Sequence, residues 1–236
     1  MTDIEYLKKY GEYTKENIEK INMGIPIQYI VGNVLFYDSI IEVNENTLIP
    51  RFETEELVDY TIKKIKNKFN NKIDIVDLGT GSGCIAITIK KHIDCDIDAI
   101  DISSSALEQA KINAIKNNTI INFINNNMLD NIDKRYDVII SNPPYIAIDE
   151  EIDEKVKKYE PEIALYATNN GLYYYEYILK NINKNLKENY IIAFEIGYRQ
   201  ANDIINLIKK YLNNSIYEVK KDMEGKDRFI FIENKN

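Results

Sequence analysis

From residue 72 onward, short apolar runs and amphipathic segments alternate strictly along the chain. The runs are rich in Ile and Val and have the length of buried strands, and the segments between them carry apolar residues at helical spacing. Strands are predicted over 73–78, 96–102, 120–124, 136–141, 190–196, 216–219 and 228–232, and helices over 82–92, 104–117, 172–186 and 202–212. This alternation predicts an α/β fold with a doubly wound, mostly parallel sheet. Ligands are then expected at the carboxyl ends of the strands.

The first 72 residues follow a different pattern. Residues 1–22 carry apolar side chains at helical spacing before Gly24 and Pro26, which predicts one polar-faced helix or two short ones. Residues 27–43 are short runs of Ile, Val, Tyr and Phe between turn residues, which favours strands or a hairpin. A helix is predicted over 53–69, with Thr54 as its N-terminal cap.

Charge and composition disfavour several classes of protein. The 38 acidic and 30 basic residues leave a net charge of −8, a poor basis for binding a phosphate backbone. Cys84 and Cys95 match neither a disulfide framework nor a metal-ligand spacing, so we expect no metal site and a reducing compartment. Apolar runs fall short of the roughly 18 residues that cross a bilayer, and the first residues lack a targeting pattern. The sequence therefore predicts a soluble, cytoplasmic protein without a membrane partner.

Three glycines follow the first buried strand, in Asp77-Leu-Gly79-Thr80-Gly81-Ser82-Gly83. Glycines permit a sharp turn and a close approach of the backbone to a ligand, and the helix start offers amide hydrogens to a carboxylate or phosphate. The spacing Gly-x-Gly-x-Gly differs from that of dinucleotide sites, which argues against a nicotinamide cofactor. Asp101 ends the second strand and is placed to accept hydrogen bonds from both hydroxyls of a ribose. Together the two features indicate a cofactor that contains a nucleoside.

The segment Asn142-Pro143-Pro144-Tyr145 follows the fourth predicted strand. Two prolines hold the backbone extended and remove two amide donors, so the carbonyl groups there act only as acceptors. The Asn142 side-chain oxygen and the Pro143 carbonyl oxygen then form two acceptors that converge on one planar NH2 group. Tyr145 adds a flat face on which that group can stack.

With these residues the chain resembles the S-adenosylmethionine-dependent methyltransferases that act on planar amide or exocyclic amino nitrogens. Three further segments resemble motifs of one branch, the peptide chain release factor glutamine methyltransferases. They are Ile-Pro-Arg-Phe-Glu-Thr-Glu at 49–55, with Phe52 in place of the usual proline, Tyr-Glu-Pro-Glu-Ile-Ala-Leu at 159–165, and Pro-Ile-Gln-Tyr-Ile-Val-Gly at 26–32. Residues 221–228 also fit, so the resemblance runs from about Gly24 to the C-terminus.

The resemblance implies a Rossmann-like methyltransferase sheet of seven strands with the last strand antiparallel. It divides the chain into a reduced N-terminal helical segment (1–25), a β-hairpin linker (26–48) and a methyltransferase domain (49–236). Members of the family usually carry several helices before the hairpin, whereas about 24 residues precede it here.

The implied reaction moves a methyl group from S-adenosylmethionine, which becomes S-adenosylhomocysteine, to a glutamine side-chain nitrogen. That glutamine belongs to the Gly-Gly-Gln motif of class 1 peptide chain release factors, the implied partner, and its methylation modulates translation termination. The implied catalytic residues are Asn142, Pro143 and Tyr145. The implied cofactor-binding residues are Gly79, Thr80, Gly81, Ser82, Gly83, Asp101, Ile102, Asn127, Met128 and Asn142. The implied substrate-binding residues are Asn142, Pro143, Pro144, Tyr145, Arg51 and Glu53.

Three finer expectations complete the predicted site. Asn127 would accept a hydrogen bond from the adenine amine, and Met128 would pack on the adenine ring through its polarizable sulfur. Glu195, at the end of the predicted strand 190–196, could line the pocket, but we interpret it as a structural or solvated residue.

Two rival functions remain open at this point. A DNA adenine or ribosomal RNA guanine methyltransferase would use the same Asn-Pro-Pro-Tyr device, but it must also bind phosphates, and the region around residue 150 is strongly acidic. A binding module that retains the fold without activity is the other alternative. We expect no direct binding of nucleic acid.

Overall fold

The computed structural model describes residues 2–235. Its N-terminal part contains α1 (Asp3–Tyr10), α2 (Lys15–Asn22), α3 (Ile27–Val31), β1 (Asn33–Phe36), β2 (Ser39–Glu42) and α4 (Phe52–Lys68). The alternating part begins with β3 (Ile73–Leu78), α5 (Cys84–His92), β4 (Cys95–Asp101), α6 (Ser104–Lys116), β5 (Asn122–Asn125) and β6 (Tyr136–Ser141). It continues with β7 (Ile146–Ala147), α7 (Glu154–Tyr159), β8 (Tyr166–Ala167), α8 (Tyr173–Asn181), β9 (Leu186–Glu195), α9 (Ala201–Tyr211), β10 (Ser215–Lys221) and β11 (Asp227–Asn234). Within residues 2–235, every helix is too short or too polar to cross a membrane.

Seven strands form one sheet, in the order β10-β11-β9-β6-β3-β4-β5. The strands from β9 to β5 in this order pair in parallel. The last strand, β11, pairs antiparallel with both β9 and β10. The structure therefore confirms the predicted doubly wound sheet with an antiparallel final strand.

Alternating side chains of the central strands divide the core into two layers. Ile75 of β3 packs with α4, α5 and the hairpin, whereas Val76 and Leu78 pack with α8 and α9 on the other face. All three side chains are fully buried. Burial on both faces explains why the strand sequences are nearly continuous apolar runs.

The segment before α4 has the two short helices that the sequence allowed, followed by a hairpin in which β1 and β2 pair antiparallel. Residues 27–31, included in the predicted strands or hairpin, instead form the helical turn α3. Helix α4 begins one residue earlier than predicted, and Arg51 occupies the cap position without a side-chain hydrogen bond. The prediction that Thr54 caps this helix was therefore wrong. Thr54 lies in the first turn, and its hydroxyl donates to Glu195 at the end of β9.

Between β6 and α8 the sequence indicated only a long irregular loop. This region contains helix α7 and a short parallel pairing in which Ile146 of β7 lies opposite Tyr166 of β8. Strands of two residues are too short to give a periodic signal, which is why the sequence did not reveal them.

Register brings four strand ends together at one edge of the sheet. Leu78 of β3 pairs with Ile100 of β4 on one side and with Ser141 of β6 on the other. Ser141 in turn pairs with Phe194 of β9. The segments that follow these residues therefore start side by side.

Candidate active site

A cavity lies at this edge, with about 700 Å³ of unfilled space including the part open to solvent. Of the residues that the sequence predicted, its wall contains Gly79, Gly81, Asp101, Ile102, Asn127, Met128, Asn142 and Pro144. The wall also contains residues that sequence reasoning missed, among them Thr47, Leu48, Ser103, Pro161, Ile163, Ala164 and Tyr174.

The glycine loop meets the cavity with open backbone. A Cβ added to Gly79 or Gly81 would have no heavy atom within 4 Å, so a ligand can approach the main chain there. The loop amides, however, are bonded within the protein: those of Gly79 and Thr80 donate to the Ile100 carbonyl, and that of Gly81 donates to Asp101. These three amides are therefore not available to a ligand.

The other three predicted loop residues lie outside the cavity wall. Thr80 is buried and its hydroxyl donates to Asp77 Oδ2 at 2.6 Å, and Ser82 is buried as well. Gly83 is the residue before α5, and a Cβ there would stand 3.1 Å from the Cβ of Ala110 on α6. These residues shape the loop from behind the surface that a ligand would touch.

Asp101 is held by two backbone donors at the cavity wall. Its Oδ2 accepts from the Gly81 amide at 2.8 Å, and its Oδ1 accepts from the Ser103 amide at 2.9 Å. Each carboxylate oxygen can accept further hydrogen bonds, so the geometry is compatible with binding ribose hydroxyls. Burial raises the pKa of Asp101, while the two amides favour its ionised form.

Asp77 is a second carboxylate beneath the same loop, and it is fully buried. Its Oδ1 has no hydrogen-bond partner among the described residues. Burial raises the pKa of Asp77 to about 7, and the negative charge of Asp101 contributes in the same direction. A buried carboxylate with an unpaired oxygen is costly unless a donor or a positive charge arrives. Asp101 in the cavity wall and the buried Asp77 beneath it place negative charge at this end of the cavity, which suits a cationic ligand that also carries a ribose, as S-adenosylmethionine does.

Asn127 and Met128, the residues expected to bind adenine, both lie in the cavity wall. Met128 is buried and adopts a left-handed backbone conformation with φ of 47°. The Asn127 amide nitrogen donates to Asp130 Oδ2 at 3.0 Å, which leaves its oxygen available as an acceptor. Ile102 is 54% exposed at the cavity rim.

In the Asn-Pro-Pro-Tyr segment, Asn142 and Pro144 lie in the cavity wall, and Pro143 is buried beside them. The Asn142 amide nitrogen donates to the Thr54 hydroxyl at 3.1 Å. Its other amide atom, Oδ1, is therefore the one that is left to accept from a ligand. Tyr145 lies outside the wall, and its hydroxyl donates to Glu195 Oε1 at 3.3 Å.

Glu195 is fully buried, which rules out the solvated half of its interpretation as a structural or solvated residue. It accepts from the Thr54 hydroxyl at 2.7 Å and from Tyr145, so it contacts the predicted catalytic segment. Burial raises its pKa to about 7, although the Thr54 hydroxyl and the Arg228 guanidinium favour the ionised form. Its position at the end of β9, beside β6, is the same signal that identified Asp101 and Asn142.

Two further residues that sequence reasoning missed hold the Tyr145 backbone. The Gln200 side-chain nitrogen donates to the Tyr145 carbonyl at 2.9 Å. Gly171 presses on the same carbonyl group: a Cβ at this position would lie 2.0 Å from the carbonyl oxygen. Gly171 adopts a left-handed backbone with φ of +79°, which favours glycine. The sequence shows a glycine at this position but not the contact that it makes.

Arg51 and Glu53 have separate surroundings. The Arg51 guanidinium pairs with Glu160 Oε1 at 2.5 Å, and Glu160 Oε2 accepts from the Ile49 amide at 3.1 Å. The Glu160 side chain is only 2% exposed. This pair joins the segment before α4 to the segment after α7, both of which resemble family motifs. Glu53 is partly exposed and raises the pKa of Glu195 through its charge.

Over residues 2–235 we find no group of three or more His, Cys, Asp and Glu side chains placed to hold a metal ion. Cys84 and Cys95 are free and buried, and burial raises the pKa of Cys84 to about 12.

Comparison with known proteins adds independent information. The family model "Methyltransferase small domain" matches residues 55–159. A release factor glutamine methyltransferase of Flavobacterium psychrophilum is 42% identical over 212 residues, which cover 87% of this chain and 74% of that protein. One of Bacillus subtilis is 38% identical over 224 residues, covering 92% and 78%. The crystal structure of a release-factor-specific protein-(glutamine-N5) methyltransferase from Alicyclobacillus acidocaldarius matches with a TM-score of 0.51 and 24% identity, covering 83% of this chain and 99% of that one. The structural likeness supports the fold, and the sequence relatives extend over most of the chain.

Proposed function

The chain belongs to the release factor glutamine methyltransferase family, and we propose that it methylates the glutamine side-chain nitrogen in the Gly-Gly-Gln motif of a class 1 peptide chain release factor. The observation that carries this proposal is the setting of Asn142. Its amide nitrogen is bonded to Thr54, and the residue lies in the cavity wall, so its oxygen is free to accept from a planar NH2 group.

S-adenosylmethionine, when bound, supplies an electrophilic methyl group on a sulfonium sulfur. We propose that Asp101 binds the ribose, that Asn127 and Met128 bind the adenine, and that Asp77 attracts the positive charge from beneath the glycine loop. The open space at Gly79 and Gly81 supports this assignment because it leaves room for a ligand against the backbone.

The residues of the Asn-Pro-Pro-Tyr segment then orient the acceptor nitrogen. A carboxamide nitrogen is a weak nucleophile because its lone pair is delocalised into the carbonyl group. In the proposed mechanism, Asn142 Oδ1 and the Pro143 carbonyl accept the two amide hydrogens, which aims the lone pair at the methyl group, and Tyr145 fixes the amide plane. Orientation of this kind contributes on the order of 7 to 11 kcal/mol to lowering the barrier. Acceptors directed at the growing positive charge on nitrogen add to it. After transfer this nitrogen is acidic and loses its proton without a strong base.

The surface beside the cavity supports a protein substrate. A second cleft shares Ile163 with the cavity and is lined by the acidic residues Asp149, Glu150, Glu151, Glu154 and Glu162, with one lysine, Lys157. Acidic side chains repel phosphate and attract basic peptide segments. This charge favours a basic, RNA-binding protein over a nucleic acid as the substrate. We propose that Glu53 contacts that substrate and that Arg51 contributes by fixing the adjacent segment through Glu160.

Transfer of a tritiated methyl group tests the proposal. The enzyme is incubated with labelled cofactor and either a class 1 release factor, the same factor with glutamate in place of its Gly-Gly-Gln glutamine, or DNA and RNA. We expect label in the first factor alone. Asn142→Ala should nearly abolish that label while binding of S-adenosylmethionine, measured by calorimetry, stays largely intact. Label in nucleic acid alone would overturn the proposal in favour of a nucleic-acid methyltransferase, and label in none of the acceptors would favour an inactive binding module.

A further inference from the structure

A chain of hydrogen bonds connects Asn142 to the interior of the protein. The Asn142 amide nitrogen donates to the Thr54 hydroxyl at 3.1 Å, and the Thr54 hydroxyl donates to Glu195 Oε2 at 2.7 Å. Thr54 is 3% exposed and Glu195 is 1% exposed, so water does not compete for these bonds. Asn142 lies on the segment after β6, Thr54 lies on α4, and Glu195 lies at the end of β9.

The direction of each bond follows from the number of protons available. A threonine hydroxyl has one proton, and a carboxylate can only accept. With its proton given to Glu195, the Thr54 oxygen can only accept, and the only group of Asn142 that can donate to it is the amide nitrogen. Asn142 must then turn its oxygen away from Thr54. Tyr145 also donates its hydroxyl to Glu195, so both carboxylate oxygens are engaged as acceptors.

We propose that Thr54 and Glu195 are positioning residues that fix which side of the Asn142 amide faces the substrate. The inference rests on the proposed function, because it assumes that Asn142 Oδ1 receives the hydrogens of the acceptor amide. Without the chain of bonds, the Asn142 amide can rotate by half a turn and present its NH2 group to the NH2 group of the substrate. Two donors then face each other, and the lone pair of the acceptor nitrogen no longer points at the methyl group of the cofactor.

Stability does not explain a carboxylate at this position. Burial raises the pKa of Glu195, which means that the folded protein disfavours the charge, and the guanidinium of Arg228 is engaged by Asp222 at 3.1 Å. An uncharged side chain of similar size would be less costly to bury. What the ionised carboxylate provides is a pair of acceptors that cannot donate, and this property determines the direction of the Thr54 proton.

Four substitutions test the role of the hydroxyl and of the carboxylate. Thr54→Val removes the hydroxyl at nearly constant volume, Thr54→Ser retains it, and Glu195→Gln allows donation toward Thr54. The matched control is Thr61→Val, since Thr61 is also fully buried on α4 and its hydroxyl donates to the Leu57 carbonyl, which is not part of the chain. The readouts are kcat and KM for the release factor and the calorimetric Kd for S-adenosylmethionine.

We expect kcat to fall on the order of 10- to 100-fold in Thr54→Val and Glu195→Gln, which corresponds to one misdirected hydrogen bond. KM and the cofactor Kd should stay within about twofold, and Thr54→Ser and Thr61→Val should keep kcat near that of the parent protein. The double variant of Thr54→Val and Glu195→Gln should lose no more than either single variant, because both break the same chain. The proposal is wrong if Thr54→Val keeps its kcat, if Thr54→Ser loses as much as Thr54→Val, or if the two losses add.

A second readout does not depend on activity. The side-chain NH2 resonance of Asn142, assigned by its disappearance in Asn142→Ala, should show slow proton exchange in the parent protein and in Thr54→Ser, and fast exchange in Thr54→Val. Equal exchange in all three proteins would refute the inference. If the parent protein leaves the release factor unlabelled, the proposed function fails, and this resonance still decides whether Thr54 orients Asn142.

Discussion

Gly171→Ala should damage the active site without touching the cavity. The added Cβ would lie 2.0 Å from the Tyr145 carbonyl oxygen and 2.5 Å from the Gln200 side-chain nitrogen, whereas real Cβ atoms essentially never come within 3.0 Å of another atom. The Tyr145 backbone must therefore move by about 1 Å. Overpacking of this kind costs about 1 to 3 kcal/mol. The left-handed backbone of Gly171, with φ of +79°, adds about 1 to 2 kcal/mol for any residue with a Cβ.

The total is about 2 to 5 kcal/mol, equivalent to a Tm lower by about 4 to 20 °C for a chain of this size. Because the moving carbonyl belongs to the Asn-Pro-Pro-Tyr segment, kcat should fall by about 100-fold, the typical effect of a 1 Å displacement at a reacting centre. The matched control is Gly225→Ala, which has φ of +81° and open space around the added Cβ. It should lose only the backbone contribution and keep its kcat. Thermal unfolding and label-transfer rates measure both quantities, and a Gly171→Ala protein whose Tm and kcat equal those of Gly225→Ala would refute the reasoning.

Three other outcomes are expected. In calorimetry at pH 8, above the pKa of about 7 of Asp77, Asp77→Asn should weaken S-adenosylmethionine binding by about 10- to 100-fold because it removes a buried charge. Asp74→Asn on the same strand should leave binding unchanged, and equal Kd values for the two variants would contradict the role of Asp77. Arg51→Met should lower the free energy of unfolding in urea by about 1 to 3 kcal/mol, because it leaves the buried Glu160 carboxylate without a counter-charge, and adding Glu160→Gln should restore most of the loss. Burial raises the pKa of Glu195 from 4.5 to about 7, so between these pH values the folded state holds more protons than the unfolded state, and the stability contributed by this group falls as pH rises. Urea unfolding at pH 5 and pH 8 should therefore show a smaller loss of stability with rising pH in Glu195→Gln than in the parent protein, and an unchanged difference would contradict the raised pKa.

The sequence predicted the sheet well because burial on both faces leaves a local signature. Strands 73–78 and 136–141 were predicted at their observed bounds, since each is a short run of mostly apolar residues between turn residues. The rule that ligands bind at the carboxyl ends of parallel strands then placed Asp101 and Asn142 together. Asp101 and Asn142 lie close together because the residues before them, Ile100 and Ser141, both pair with Leu78.

The rest of the site depends on contacts that no local pattern encodes. Propensity favours threonine as a helix cap, but the Thr54 hydroxyl bonds to Glu195, which lies 141 positions away along the chain. A turn that leads into a helix commonly leaves amide hydrogens without a partner, but the Ile100 carbonyl and the Asp101 carboxylate accept those of residues 79–81. In both cases a tertiary partner outcompetes the local rule. Glu195 was within reach of the strand-end rule, and applying it to β9 as to β4 and β6 would have placed it at the site.

The bond between Thr54 and Glu195 joins residues that are 141 positions apart, so it depends on the order in which the fold forms. During synthesis Thr54 and Asn142 are made well before β9, the strand that ends in Glu195 and lies between β6 and β11 in the finished sheet. Closing so long a loop costs conformational entropy, which the packing of β9 against β6 must offset. If Glu195 orients Asn142 as proposed, a nascent or refolding chain acquires its oriented amide only once β9 has paired with β6.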